Sequence, residues 1–236
     1  MQIKPSTCCL FSYNKNVNFP DISVGNNTIN ETSVSKFLGI HLDKKFNFVN
    51  HITEMSMKVA MSIGLLYKLN RFLSETILKT LHTSLIHPYL SCGIEAWHGT
   101  YQNNTSKIFV LQKKAIRAIN NLANNEHTNA YFKCNKILKL CDQYKLQVSN
   151  YIFQVLHSNT DEEIESSLLI NNKIHSHNTI RTNSQMSILR VNRSKTKHCV
   201  LHNGMITWNS LSDIFKVNVS FSMFKSKVRN FYLEKY

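Results

Sequence analysis

Ile52, Met55, Val59, Ile63, Leu66 and Leu69 recur at steps of three and four residues, which lays one apolar stripe along a helix of about five turns and rules out a strand there. Lys58, Lys68 and Arg71 fall off that stripe. The pattern returns further along the chain. Ser74 and Thr76 start a second helix carrying Ile77, Leu78, Leu81 and Leu85, which Pro88 bends or ends. A third carries Ile108, Leu111, Ala115, Ile119 and Leu122 on its apolar face, with Lys107, Lys113, Lys114 and Arg117 elsewhere on its surface. A fourth, from Asp142 to His157, turns Tyr144, Val148, Tyr151, Ile152 and Val155 inward. A short helix around Trp208 and a last one from Ser222 to Leu233, with Phe224, Val228 and Phe231 spaced for burial, close the chain. Six glycines and three prolines among 236 residues leave too few turn formers for an all-β sandwich.

Before the first helix the period is different. Residues 7–12 (TCCLFS) and 17–24 (VNFPDISV) are short apolar segments separated by YNKN, a hairpin turn, and residues 34–42 read as a buried strand containing Gly39. The expected fold is therefore α+β and predominantly α. A small N-terminal antiparallel sheet spans residues 1–49, a helical bundle residues 50–158, and a basic C-terminal region with short helices residues 159–236. Within that last region, residues 166–212 hold no Asp or Glu and show weak periodicity.

Charge narrows the partners. Twenty-eight Lys and Arg against 14 Asp and Glu give +14, an excess that points to a polyanion, nucleic acid first. The longest apolar stretch, residues 85–97, is interrupted by His87, Pro88 and Glu95, so no membrane span is expected. Six cysteines without a CxxC pair point to a reducing compartment, cytoplasm or nucleus.

Little in the sequence supports catalysis. Asp21, Asp43, Asp142, Asp161 and Asp213 are scattered, and the one acidic cluster, DEEIE at 161–165, sits in a solvated connector. His175-x-His177 and His198-Cys199-x-x-His202 lack the second cysteine arm of a zinc site. Nucleophile-elbow, phosphate-loop and dinucleotide motifs are absent. What remains is binding chemistry. Phe37, Tyr67, Phe72, Trp97, Tyr101, Phe109 and Trp208 interleave with the basic residues, a pattern that can stack on bases, although most of them fall on apolar faces and are expected in the core.

Four stretches together resemble one family. FLGIHLDKKFNFVNHI (37–52) is similar to the segment closing the palm of jockey-like non-long-terminal-repeat retrotransposon reverse transcriptases. SLIHPYLSCGIEAWHGT (84–100) and LQKKAIRAI (111–119) resemble their thumb, with departures at Cys92 and His98. HNTIRTNS (177–184), NGMITWNSLSDIFK (203–216) and FKSKVRNFY (224–232) resemble the region after the thumb. The resemblance implies a fold in which residues 1–49 are a palm remnant and residues 50–158 a thumb-like domain. It implies RNA-directed DNA synthesis for the whole enzyme, with two magnesium ions on aspartates of earlier palm strands. Because it begins after those strands, it implies no catalytic residue, metal ligand or cofactor in this chain. A primer-grip role falls on Phe37, Leu38 and Gly39, where glycine lets backbone approach the primer. Backbone-phosphate contact with template–primer falls on Lys58, Lys68, Arg71, Lys113, Lys114 and Arg117, joined by Arg181.

The implied partners are RNA, an RNA–DNA duplex and the rest of the reverse transcriptase. The alternatives are a host-retained interaction scaffold without nucleic-acid contact, and an unstable pseudogene product whose remnant sheet exposes an edge and an apolar face.

Overall fold

The computed structural model describes residues 23–24, 27–28, 32–99, 102–157, 185–188, 199–217 and 219–236. The expected YNKN hairpin therefore lies outside the described residues. The fold is α+β and predominantly α, as the sequence predicts, with its strands at the N-terminal end.

Two antiparallel hairpins come first. β1 (Ser23–Val24) pairs with β2 (Asn27–Thr28), and β3 (Val34–Phe37) with β4 (Ile40–Asp43), in separate sheets. The second hairpin corrects the expected single strand over 34–42. Phe37 pairs with Ile40 and the two residues between form the turn, Leu38 at φ 46° and Gly39 at φ 85°. Such primed turns need positive φ at both central residues, which glycine accepts freely and leucine only at a cost. Leucine in place of the usual Asn or Asp made the turn read as apolar strand. Nor is the segment buried, since Phe37 is 62% and Leu38 80% exposed.

One carboxylate shapes the link to the first helix. Asp43 accepts hydrogen bonds from the backbone N–H groups of Lys45 (2.9 Å), Asn47 (3.1 Å) and Phe48 (2.7 Å). Charge-assisted bonds of this kind are about twice as strong as neutral ones. They hold a connection in which Phe46 and Phe48 both take positive φ, and Phe48 plugs the core under the helix that follows.

That helix, α1 (Val49–Leu69), buries Ile52, Met55, Val59, Ile63 and Leu66, the stripe read from the sequence. It packs along α5 (Gln102–Asn120), where Ala115 and Ala118 allow close approach. The Tyr67 hydroxyl donates to the Lys114 carbonyl (3.3 Å) and Asn70 Nδ2 to the Ala118 carbonyl, so the two helices run parallel at this end. Between them lie α2 (Glu75–Leu85), α3 (His87–Ser91) and α4 (Ile94–Trp97). Leu78 and His82 form the buried face of α2; Ile77, expected inward, is exposed because it sits about 100° round the helix from Leu78. Pro88 opens α3, where its missing N–H costs no bond. At Gly93 (φ 57°) a Cβ would collide with Ile40, so the β3–β4 hairpin rests directly on the α3–α4 corner.

α6 (Asn129–Cys134), unforeseen in the sequence, leads to α7 (Leu140–His157). Gln112 of α5 clamps the link between them, its Nε2 donating to the Leu138 carbonyl (2.8 Å) and its Oε1 accepting from Leu140 N (2.9 Å). α7 is walled on two sides. Leu140, Tyr144 and Val148 complete the core shared with α1 and α5. Leu146, Ile152, Phe153 and Val155 belong to a second core with α8 (Val200–Asn209) and α9 (Phe221–Glu234). Tyr151, expected inward, is half-buried at its rim.

In that second core Gly204 lets α8 approach Ile152, and Phe224 stacks on Phe153 with ring centroids 4.5 Å apart. Tyr232, one residue on from the expected Phe231, fills the last buried position of α9. Tyr236 ties down the C-terminus, donating its hydroxyl hydrogen to Asp142 (2.7 Å) and accepting from Lys139 N (2.8 Å). Asn209 makes a two-point clamp on the backbone of Met186, both bonds 2.8 Å.

Candidate nucleic-acid interface

The residues singled out from the sequence occupy three places. Phe37, Leu38 and Gly39 form the exposed tip of the β3–β4 hairpin, and nothing lies within 4 Å of a Cβ built on Gly39. A small residue at such an open tip lets backbone come close to a bound strand.

Lys58 stands apart on α1. Its ammonium bonds Glu54 one turn back (2.5 Å), an i,i+4 pair, and lies 5.8 Å from the Tyr89 ring. That bond holds Glu54 below the usual carboxylate range and raises Lys58, so this cation is already matched by a charge of its own helix.

The rest gather at the parallel C-terminal ends of α1 and α5. Lys68 lies in the last turn of α1, Arg71 in the turn beyond, and Lys114 beside Tyr67 on α5; all three are exposed, and among the described residues none is ion-paired. Lys113 is folded back over the Phe109 ring (4.5 Å). Arg117 gives Nε and Nη2 to the Glu126 carbonyl (3.3 and 3.1 Å), bracing the loop before α6. Arg181 lies outside the described residues. The geometry thus separates a free trio, Lys68, Arg71 and Lys114, from three cations committed to internal contacts.

Beside the trio runs a feature the sequence reading missed. The solvent face of α1 is apolar, with Met57 57% and Met61 76% exposed and Leu65 one turn on before Lys68. Counting exposed positions at i, i+4 and i+8 opposite the buried stripe would have found it. The aromatics also divide differently from expectation. Trp97 and Trp208 are buried and Phe109 packs on Phe132, but Phe37, Tyr67 and Phe72 are exposed: Phe37 ends strand β3 at the hairpin tip, Phe72 sits in the turn after α1, and Tyr67 is on the outer side of α1; Tyr101 lies outside the described residues.

Among the described residues no group of three or more His, Cys, Asp or Glu is placed to hold a metal ion; His175, His177 and His198 lie outside them. Among the same residues no helix is long and apolar enough to cross a membrane.

Comparison with known proteins gives one informative similarity. Over 166 residues, 68% of the chain, the protein is 26% identical to the RNA-directed DNA polymerase from mobile element jockey of Drosophila melanogaster. The matched stretch spans 18% of that polymerase's length. The chain therefore carries a region related to a reverse transcriptase and corresponds to a small part of one. No protein-family profile and no solved structure matches it.

Proposed function

We propose that this chain is a non-catalytic, thumb-like part of a non-long-terminal-repeat retrotransposon reverse transcriptase that holds template–primer by its phosphate backbone. The observation that carries this reading is the 166-residue similarity to the jockey polymerase. The clustering of Lys68, Arg71 and Lys114 beside an exposed apolar helix face supports it. Cations at the end of two parallel helices meet phosphates without reading sequence, and the hairpin tip at Gly39 adds a second, backbone-level contact. Magnesium-dependent synthesis belongs, in this reading, to palm strands outside the region of resemblance. The partners are an RNA–DNA duplex or RNA and the rest of the polymerase, and the compartment is the cytoplasm or nucleus.

Two assays test it together. Purified chain given magnesium, nucleotides and a primed RNA template should extend nothing while retarding the same duplex at low salt. Templated incorporation overturns the non-catalytic assignment. Failure to retain the duplex at low salt overturns the binding assignment and favours the second reading, a protein-binding scaffold, for which the bare Met57–Met61–Leu65 face is the specific support.

A further inference from the structure

α2, the start of α3, the α6–α7 link, α7 and α9 line a cavity of about 370 Å³, within the size range of small-molecule sites. Its charge is one-sided. Lys79, Lys136, Lys225 and Arg229 line it together with His82 and His87, and among the described residues lining it there is no carboxylate. Glu75, one turn from Lys79, neutralises that lysine in part (2.7 Å). Arg229 is held in place by donating Nη2 to the Lys136 carbonyl (2.8 Å), which fixes the guanidinium at the wall with further N–H donors to offer.

Excess cations alone make a basic patch, not a site. Here the polar groups behind them are unsatisfied as well. Among the described residues, Gln143, 4% exposed, has Nε2 without a hydrogen-bond partner, and His82, 2% exposed, has Nε2 without one. Both atoms of the Asn135 amide group are in the same state. Native interiors seldom leave buried donors unpaired, because each costs free energy. Gln143 Nε2 and Asn135 Nδ2 are donors set just behind the wall of this cation-lined cavity, where an acceptor-rich guest would draw them toward it, whereas Asn135 Oδ1 calls for a donor. Burial first and the neighbouring Arg229 second hold His87 below the ordinary imidazole value, and burial with His87 takes His82 to about 4, so a bound anion would move both upward.

We propose that this cavity is an oligophosphate-binding site, built by Lys136, Lys225 and Arg229 at its mouth and backed by Gln143, Asn135 and His82. Several phosphates suit it better than one, since Lys136 comes from the α6–α7 link, Lys225 and Arg229 stand one turn apart on α9, and the Glu75-paired Lys79 adds a cation from α2. The site is independent of the duplex-binding trio and stands whether or not that reading holds.

The test is calorimetric titration of the full chain with inorganic triphosphate. One saturable site is expected, weakened at least tenfold in Lys136→Gln/Lys225→Gln and unchanged in Lys68→Gln/Lys114→Gln. Both lysines of the first pair are exposed, so its thermal melt should match the parent. Saturating triphosphate should also raise the pKa of His82 and His87, followed by their imidazole proton resonances. An RNA bearing a 5′-triphosphate that binds tenfold more tightly than its 5′-hydroxyl counterpart, in the parent but not in the first pair, assigns the site to a strand end; equal binding of the two RNAs alongside saturable triphosphate binding assigns it to a free nucleotide or polyphosphate. No saturable binding, or equal weakening in both lysine pairs, overturns the proposal.

Discussion

Glycines at three positions carry opposite expectations. Gly93 combines positive φ with a Cβ direction filled by Ile40. Gly93→Ala should cost roughly 2 to 4 kcal/mol, joining left-handed backbone strain to overpacking, and Ile40→Ala in the same chain should recover part of it, as read by urea denaturation. Gly64 lies mid-helix in α1 with open space around it, so Gly64→Ala should stabilise by about 0.5 to 1 kcal/mol. Gly39 has the space but not the backbone, so alanine there meets strain and no clash. Histidines supply the pH dependence. Burial takes His82 and His98 to about 4, with His98 stacked on Tyr144 at 4.4 Å. The unfolded chain protonates the same groups near 6.5 and so binds more protons between the two values. Stability is therefore full above about pH 6.5 and falls as the pH drops toward 4, by roughly 3 kcal/mol per histidine at the acid end. Urea midpoints at pH 7.5 and 5 should show the loss, and His82→Leu should flatten it.

Elements long enough to show a period were legible in advance. α1, α5, α7 and α9 each repeat their apolar residues over three turns or more, and the structure buries most of each stripe, with shifts at Tyr151 and Phe231 and with Leu122 left half-buried beyond the end of α5. α3, α4 and α6 are too short to display a period, and the β3–β4 turn was hidden by Leu38 standing where turn formers usually stand. Partners distant in sequence were out of reach as well. Nothing near Gln112 announces that it bonds the backbone at 138 and 140, nor that Lys136 and Arg229 share a cavity wall. At the candidate interface, the Glu54–Lys58 pair could have been read from its spacing, whereas the engagement of Arg117 by the Glu126 carbonyl could not. Gln112→Met keeps the shape of this side chain but leaves two buried backbone groups unpaired, and should cost roughly 2 to 4 kcal/mol. Denaturant titration against the parent checks the size, and a cost below 1 kcal/mol would contradict the clamp.

Across the whole molecule, α7 joins two cores, and each holds one tryptophan: Trp97 in the core of α1 and α5, Trp208 in that of α8 and α9. A shared wall predicts one cooperative transition. In Trp97→Phe and in Trp208→Phe, the remaining tryptophan's fluorescence should change with the helical circular dichroism of the same variant. Separate midpoints would show the two cores unfolding independently, and the absence of any cooperative transition would favour an unstable product. The +14 charge is the other molecule-wide property, and the duplex trio supplies only three of the 28 Lys and Arg. General attraction to polyanions is therefore expected from any face, so a bare affinity does not locate the contact. The most direct measurement is the slope of log affinity for a primed RNA–DNA duplex against log salt, in the parent and in Lys68→Glu/Arg71→Glu/Lys114→Glu. Each phosphate contact adds roughly 0.7 to 0.9 to that slope. The slope should be shallower by roughly 2 to 3 in the triple variant, with Lys58→Glu changing it by less than 1. Equal slopes in parent and triple variant would contradict the claim that the ends of α1 and α5 hold the duplex.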